Sequence, residues 1–382
     1  MEMQQIEQNV KPNYGGLKPR HDFKRFEANG HRFYYGVVRE GKKHTVKVLK
    51  GITSLLDENI PQDMFLRRWR ENEENQNYFA WSAEYGTAVH YATYLYDLQD
   101  PQRNWYSFAK GLPYFDKIHK EVISWNNFRM KYETELQPLL LETPLYCNMP
   151  LIEEQYEEGG ETKTRVKVSI DFCTTLDRVF LFKGLQERIV EIETGEVYKV
   201  NGKGFKKGEL KLDSNGKPLT RKEVVLVEVN EIWIVDLKSN GKGVEKKTLY
   251  EGHGFQLYAQ REAFKQNFPK ITSTIRMFNF TSNEFKENRG DNTYNLTEWV
   301  ISGESGNEET VSWDRRVLSQ SDIKFMKFHF AAGAVRNTHI PNGYITEREE
   351  FHFGQSINPL RKISYEEYAF NQFMNKRKNE TK

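Results

Sequence analysis

Residues Ile232–Asn240 read Ile-Trp-Ile-Val-Asp-Leu-Lys-Ser-Asn, and no other stretch constrains the fold as tightly. Four apolar residues running straight into Asp-x-Lys describe a buried strand that reaches the surface at its C-terminal end. In an extended chain, residues two apart project to the same face. Asp236 and Lys238 are therefore expected side by side at the end of a hydrophobic strand. A carboxylate and an ammonium so placed can share a divalent cation, a water and a phosphate, which suits metal-assisted phosphodiester hydrolysis.

Composition narrows the setting of that strand. The 382 residues suffice for one elaborated domain or two ordinary ones. With 25 Phe, 20 Tyr and 7 Trp the chain can build a large core and does not read as disordered. Its 56 basic and 54 acidic residues nearly cancel, so affinity for a polyanion must come from local patches. Lys203–Lys207, Lys242–Lys247 and Arg261–Lys270 are candidates, each also readable as a solvated face. Cys147 and Cys173 are too few for a four-thiolate zinc or iron–sulfur site. They read as reduced core thiols, with a disulfide as the alternative. Met1–Arg20 is polar, and no run approaches the roughly 18 apolar residues of a membrane span. A soluble, cytoplasmic protein is expected.

Local patterns divide the chain. Residues 1–30 read as a polar lead-in, and His31–Val38 with His44–Leu49 as a hairpin turning at Glu40-Gly41. Thr53 or Ser54 is a cap candidate for a short helical turn, and Pro61 opens a helix through Met64, Phe65 and Trp69. Apolar spacing predicts helices over Tyr78–Leu98 and Tyr114–Leu141, then strands at Thr143–Ile152, Thr164–Thr175 and Arg178–Phe182. Gly184–Glu223 is rich in Gly, Lys and Glu and predicts surface hairpins inserted into the core. Buried-strand character returns at Val224–Lys238, followed by a helix at Gly252–Asn267 and a strand at Ile271–Phe280. Helices at Ser321–Gly333 and Ser364–Lys376 close the chain.

Four further pieces accompany Asp236-Leu-Lys238. Gly86 and His90 lie four apart on one helix face, where the glycine permits close approach to a sheet. Alone, His90 reads better as a hydrogen-bonded core histidine. Glu142 sits where a strand begins in Glu-Thr-Pro-Leu, and alone reads as an exposed helix-end residue. Asp171 lies inside the apolar strand Val166–Leu176, where a carboxylate is costly unless a cation neutralises it; a turn-forming Asp is the plainer reading. Gln256 and Gln260 share a face of the helix that follows Lys238, as orienting amides or ordinary surface residues.

In this order, Gly-Thr-x-x-His, a strand Asp, Asp-x-Lys and a helical Gln resemble the RecB-like branch of the PD-(D/E)XK nuclease superfamily. The resemblance covers roughly Gly51 to Phe280, and Gly51-Ile-Thr-Ser-Leu-Leu with Trp69 resembles openings common in its phage members. It implies a restriction-endonuclease-like α/β core, a mixed central sheet flanked by helices. That core would span 31–287, with a β-hairpin insertion at 184–223 and a C-terminal extension at 288–382. It implies metal ligation by His90, Asp171, Asp236 and the Leu237 carbonyl. Lys238 would act on the attacking water, and Gln256 would take the family's glutamine position. With Glu142 as a further catalytic candidate, these residues would form a Mg²⁺- or Mn²⁺-dependent exonuclease. Its substrate would be linear DNA in recombination, repair or replication, and its partner a recombination or replication protein.

The chain departs from the family pattern where position 260 is Gln instead of Tyr, where Val168 replaces a common Gly, and in the long Asp171–Asp236 separation. With two cysteines it resembles the members lacking an iron–sulfur cluster. A structure-specific endonuclease and an inert nuclease-fold DNA-binding or assembly protein are the alternatives.

Overall fold

The computed structural model describes residues 17–28, 31–40, 43–61, 73–99, 103–202, 206–214, 216–240, 249–283, 293–304, 309–310 and 313–334. The expected helix through Met64, Phe65 and Trp69, the Lys242–Lys247 patch and the helix Ser364–Lys376 lie outside these residues.

The hairpin expected from alternation forms as β2 (His31–Glu40) and β3 (Lys43–Lys50). Within the stretch read as a lead-in, β1 (Asp22–Ala28) adds to β2 and completes a three-stranded antiparallel sheet. A side chain at Gly36 would lie 2.3 Å from the Asp22 carbonyl, so glycine there lets β1 pack against β2. Among the described residues the helices α1 (Ile52–Asn59), α2 (Glu73–Leu98), α3 (Trp105–Lys110) and α4 (Phe115–Lys131) follow. Gly51 precedes α1 without a side-chain cap, so neither Thr53 nor Ser54 plays that part.

The helix expected to reach Leu141 ends at Lys131, because Leu136–Leu141 pairs with Arg178–Phe182. Tertiary pairing overrides the local helical spacing of leucines there. The chain instead forms three long antiparallel strands, β4 (Leu136–Glu158), β5 (Glu161–Glu193) and β6 (Thr220–Lys238). The hairpin expected in the polar stretch 184–223 is the outer part of the β5–β6 pair, whose rungs run in continuous register from Arg178–Val235 to Glu193–Thr220. Charged residues are even buried at its base, where Arg188 and Arg276 both hold Glu231.

Beyond β6 come α5 (Glu251–Asn267), β7 (Ile275–Ser282), β8 (Tyr294–Ile301), β9 (Glu309–Thr310), β10 (Asp314–Leu318) and α6 (Gln320–Ala334). The large sheet has the order β10-β8-β7-β6-β5-β4, with β9 added to β5. It is mixed: β6–β7 and β8–β10 are parallel, the other neighbours antiparallel. Strands β8 and β10 therefore continue the sheet, and α6 joins its helical layer.

Alternation along β6 shows how the layers divide. Ile232 and Ile234 enter the core beneath α1, α5 and α6, while Trp233, Val235 and Leu237 face the aromatic core under α4. Asp236 and Lys238 share the parity of the first set, so they emerge on the α5 side. Both cysteines are free and buried. Among the described residues no helix is long and apolar enough to cross a membrane.

Candidate metal centre

Strand register assembles the site. Leu141 pairs with Arg178 and Thr143 with Leu176, which sets Glu142 opposite Asp177. Arg178 pairs with Val235, so the next rung sets Asp177 beside Asp236, and Asn279 on β7 continues the row. Neighbouring strands lie about 4.8 Å apart, so three carboxylates line up across three strands at that interval. The β5–β6 ladder gives way here: the Leu237 N–H donates to Asp177 Oδ2 at 2.8 Å. Glu142 holds φ at 43°, a left-handed conformation that costs a non-glycine residue on the order of 1 kcal/mol or more. The strained backbone turns its carboxylate toward Asp177.

The imidazole arrives from α2. A side chain at Gly86 would stand 3.3 Å from Ser239 Oγ, so the glycine brings this helix face up to the end of β6. One turn on, His90 Nδ1 lies 3.5 Å from both Glu142 Oε1 and Asp177 Oδ2, and its Nε2 faces the Leu237 carbonyl oxygen at 3.1 Å. The ligand atoms of His90, Glu142 and Asp177 lie within 4.8 Å of one another. They border a cavity of about 350 Å³ that Asp236, Lys238, Gln256 and Arg25 also line.

Two cations are fixed against this row. Arg178, fully buried, donates to Asp97 at 2.6 Å, Glu142 at 2.9 Å and Thr93 at 3.0 Å. Lys238 Nζ lies 2.7 Å from Asp236 Oδ2 and donates to Gln256 at 3.1 Å. Gln256 in turn donates to Asp236 Oδ1 at 2.7 Å, and Asn279 to Oδ2 at 2.8 Å. The Trp299 indole holds Asn279 from behind at 2.7 Å.

Charge crowding shifts the titrations. Burial raises the Asp177 carboxyl, Asp236 and Glu142 raise it further, and His90 only partly opposes them. Burial also works against ionised Glu142, but the His90 contact and Arg178 prevail and hold that carboxyl below its usual range. Burial disfavours protonated His90, yet Asp177, Glu142 and Asp236 outweigh it and raise the imidazole.

Of the residues singled out from sequence, His90, Glu142, Asp236, Leu237, Lys238 and Gln256 meet in this cavity. Asp171 does not. It lies six residues before Asp177 on β5, roughly 20 Å along an extended strand. There Lys47, Tyr146 and Asn148 engage it, and they supply the neutralising partners its position demands. The Leu237 carbonyl faces the histidine. Gln260 is buried and donates to the Thr175 carbonyl. The Arg261–Lys270 patch is no free basic face, since Arg261 pairs with Glu304 and Lys265 with Glu262.

Sequence reasoning missed Asp177, Arg178 and Asn279. Phe172 and Leu176 enter the core under α5, and so does Val179, so the alternation of β5 slips by one residue between them. That slip made Leu176-Asp177 look like a break between two strands. No family model matches the chain, and no curated protein or solved structure does either.

Proposed function

We propose that the chain is a metal-dependent deoxyribonuclease of the PD-(D/E)XK type, acting as an exonuclease on linear DNA. The observation that carries this reading is the convergence of His90, Glu142 and Asp177 beside Asp236-Leu-Lys238. The donor set suits a divalent cation. Two ligand atoms 3.5 Å apart both reach one ion through bonds of about 2.1 Å, so the separations from His90 Nδ1 need no rearrangement. Carboxylates favour Mg²⁺ or Mn²⁺, and the imidazole shifts the balance toward Mn²⁺. The bound ion would supply positive charge at the scissile phosphate and acidify a water.

The remaining work falls to the protein. With Nδ1 turned to the ion, His90 donates its Nε2–H to the Leu237 carbonyl, which fixes the tautomer. In this reading that carbonyl is an orienting acceptor, not a ligand. Glu142 and Asp177 hold the cation, and Arg178 keeps Glu142 ionised and in place. Asp236, clamped by Gln256 and Asn279, aims Lys238 at the attacking water and the phosphate oxygens. The mixed sheet, with its carboxylates on adjacent strands, supports a restriction-endonuclease-like core by analogy.

The test is incubation of linear and covalently closed circular DNA with Mn²⁺ or Mg²⁺. Loss of linear DNA alone is expected. Nicked circles would favour the endonuclease reading, and no metal-dependent loss of either would leave an inert binder.

A further inference from the structure

A second cavity, of about 260 Å³, is lined by Arg20, His21, Lys47, Tyr146, Asn148 and Asn267. Its walls are built. His21 and Asn267 are each 6% exposed, and the His21 ring stands edge-on to Tyr146 at 5.1 Å. Lys47 is held in place by Asp171. That carboxylate also accepts from Tyr146 and Asn148, at 2.7 Å each. Burial opposes its charge, but these contacts hold it below the usual carboxylate range, so Lys47 stays anchored. The Asn267 amide is committed on one side only. Nδ2 donates to the carbonyls of Tyr146 and Ala263 at 2.8 Å, while Oδ1 is buried without a donor. Turning the amide over would forfeit both bonds, so the orphaned acceptor is fixed.

Arg20 is the surplus positive charge beside the Lys47–Asp171 pair, so the cavity suits an anion, and Asn267 in its wall keeps an acceptor without a donor. We propose that this cavity binds a nucleotide, its phosphate on Arg20 and Lys47, with a sugar hydroxyl or base N–H reaching in to Asn267. Resting on the nuclease reading, the nucleotide is a unit of the strand being cut. Tyr34 on β2 lines the metal cavity, and Val38, four residues along the same strand, lines this one. That offset is about 13 Å. A single strand running along β2 would place one phosphate at Lys238 and a nucleotide about two units further on here.

Isothermal titration of the full chain in EDTA with inorganic phosphate and with thymidine 5′-monophosphate tests the site. Both should bind, the nucleotide more tightly, and Arg20→Ala and Lys47→Met should weaken both by at least about tenfold, one charge-assisted contact. Lys211→Met, on the exposed ribbon away from both cavities, should change neither. Arg20 is exposed, so its variant separates binding from folding even if Lys47→Met, which strands Asp171, fails to fold. Unaltered binding by Arg20→Ala, or an equal loss in Lys211→Met, overturns the site.

With a single-stranded thymidine oligonucleotide, Arg20→Ala should reduce the slope of log affinity against log salt by about 1. An unchanged slope overturns the strand assignment. Metal-dependent DNA loss without Arg20-dependent phosphate binding removes this cavity alone. Arg20-dependent binding without any DNA cleavage removes the nuclease reading alone.

Discussion

Replacing Asp177 with asparagine removes one of three negative charges from the row and keeps an acceptor for the Leu237 N–H. Ligand atoms of Glu142 and Asp177 lie at most 4.8 Å apart. At an effective dielectric of about 20, two unit charges at that distance repel by about 3 kcal/mol. Protonated His90, 3.5 Å from Asp177, returns about 5 kcal/mol of attraction on the same scale, but burial of the Asp177 charge, the largest cause of its raised carboxyl, costs several kcal/mol more, which leaves a net relief of about 1–2 kcal/mol. One kcal/mol moves the melting temperature of a sizeable domain by about 2–4 °C. Metal-free Asp177→Asn should therefore melt about 2–8 °C above the parent in differential scanning calorimetry. Mn²⁺ at a hundred times its dissociation constant should stabilise the parent by about 2.7 kcal/mol and the variant by almost nothing. Asp171→Asn is the control: it leaves Lys47 without its carboxylate and lowers the melting point, yet keeps the full Mn²⁺ shift. A full Mn²⁺ shift in Asp177→Asn, or its loss in Asp171→Asn, would refute the assignment of the site.

The remaining expectations follow from the same contacts. Lys238→Ala should cut DNA turnover by about two orders of magnitude or more while the Mn²⁺ melting shift persists, read by single-turnover cleavage and calorimetry. Arg178→Met strands Asp97 and Glu142 in a buried setting and should cost about 3–5 kcal/mol in urea unfolding. Gly254→Ala drives a methyl to 2.5 Å from the Trp299 ring and should cost about 1–3 kcal/mol, whereas Gly252→Ala, with open space around it, should not destabilise. The acid range tests Asp177. Because its folded carboxyl titrates above the ordinary value, its contribution to metal-free stability is present at low pH and lost as pH rises through that raised value. Protons then compete with the cation, so Mn²⁺ affinity by titration calorimetry should fall between about pH 7.5 and about pH 5.5.

What the sequence disclosed was local. The end of β6 could be read because four apolar residues leave only one way for Asp236 and Lys238 to surface. His90 could be read because Gly86 precedes it by one helical turn. Pairing could not be read. Leu136–Leu141 has helical spacing and becomes a strand only because β5 lies beside it. Asp171 had the stronger local claim, a carboxylate inside an apolar strand, but its counter-charge comes from Lys47, 124 positions away. Asp177 sits at a slip in alternation that erases the pattern on which strand reading depends. The polar 184–223 stretch was legible as hairpin from its turn signals, but its continuity with the buried end of β5 and β6 was not, because polarity follows exposure and not pairing.

The row of Glu142, Asp177 and Asp236 exists in a single alignment of three strands. Sliding any one of them by a residue would send its acidic group through to the opposite face. A cation bound by this row would act as a proofreader: it would reward the correctly zipped sheet and give nothing to a neighbouring alignment, so refolding with Mn²⁺ should enrich the properly threaded molecule.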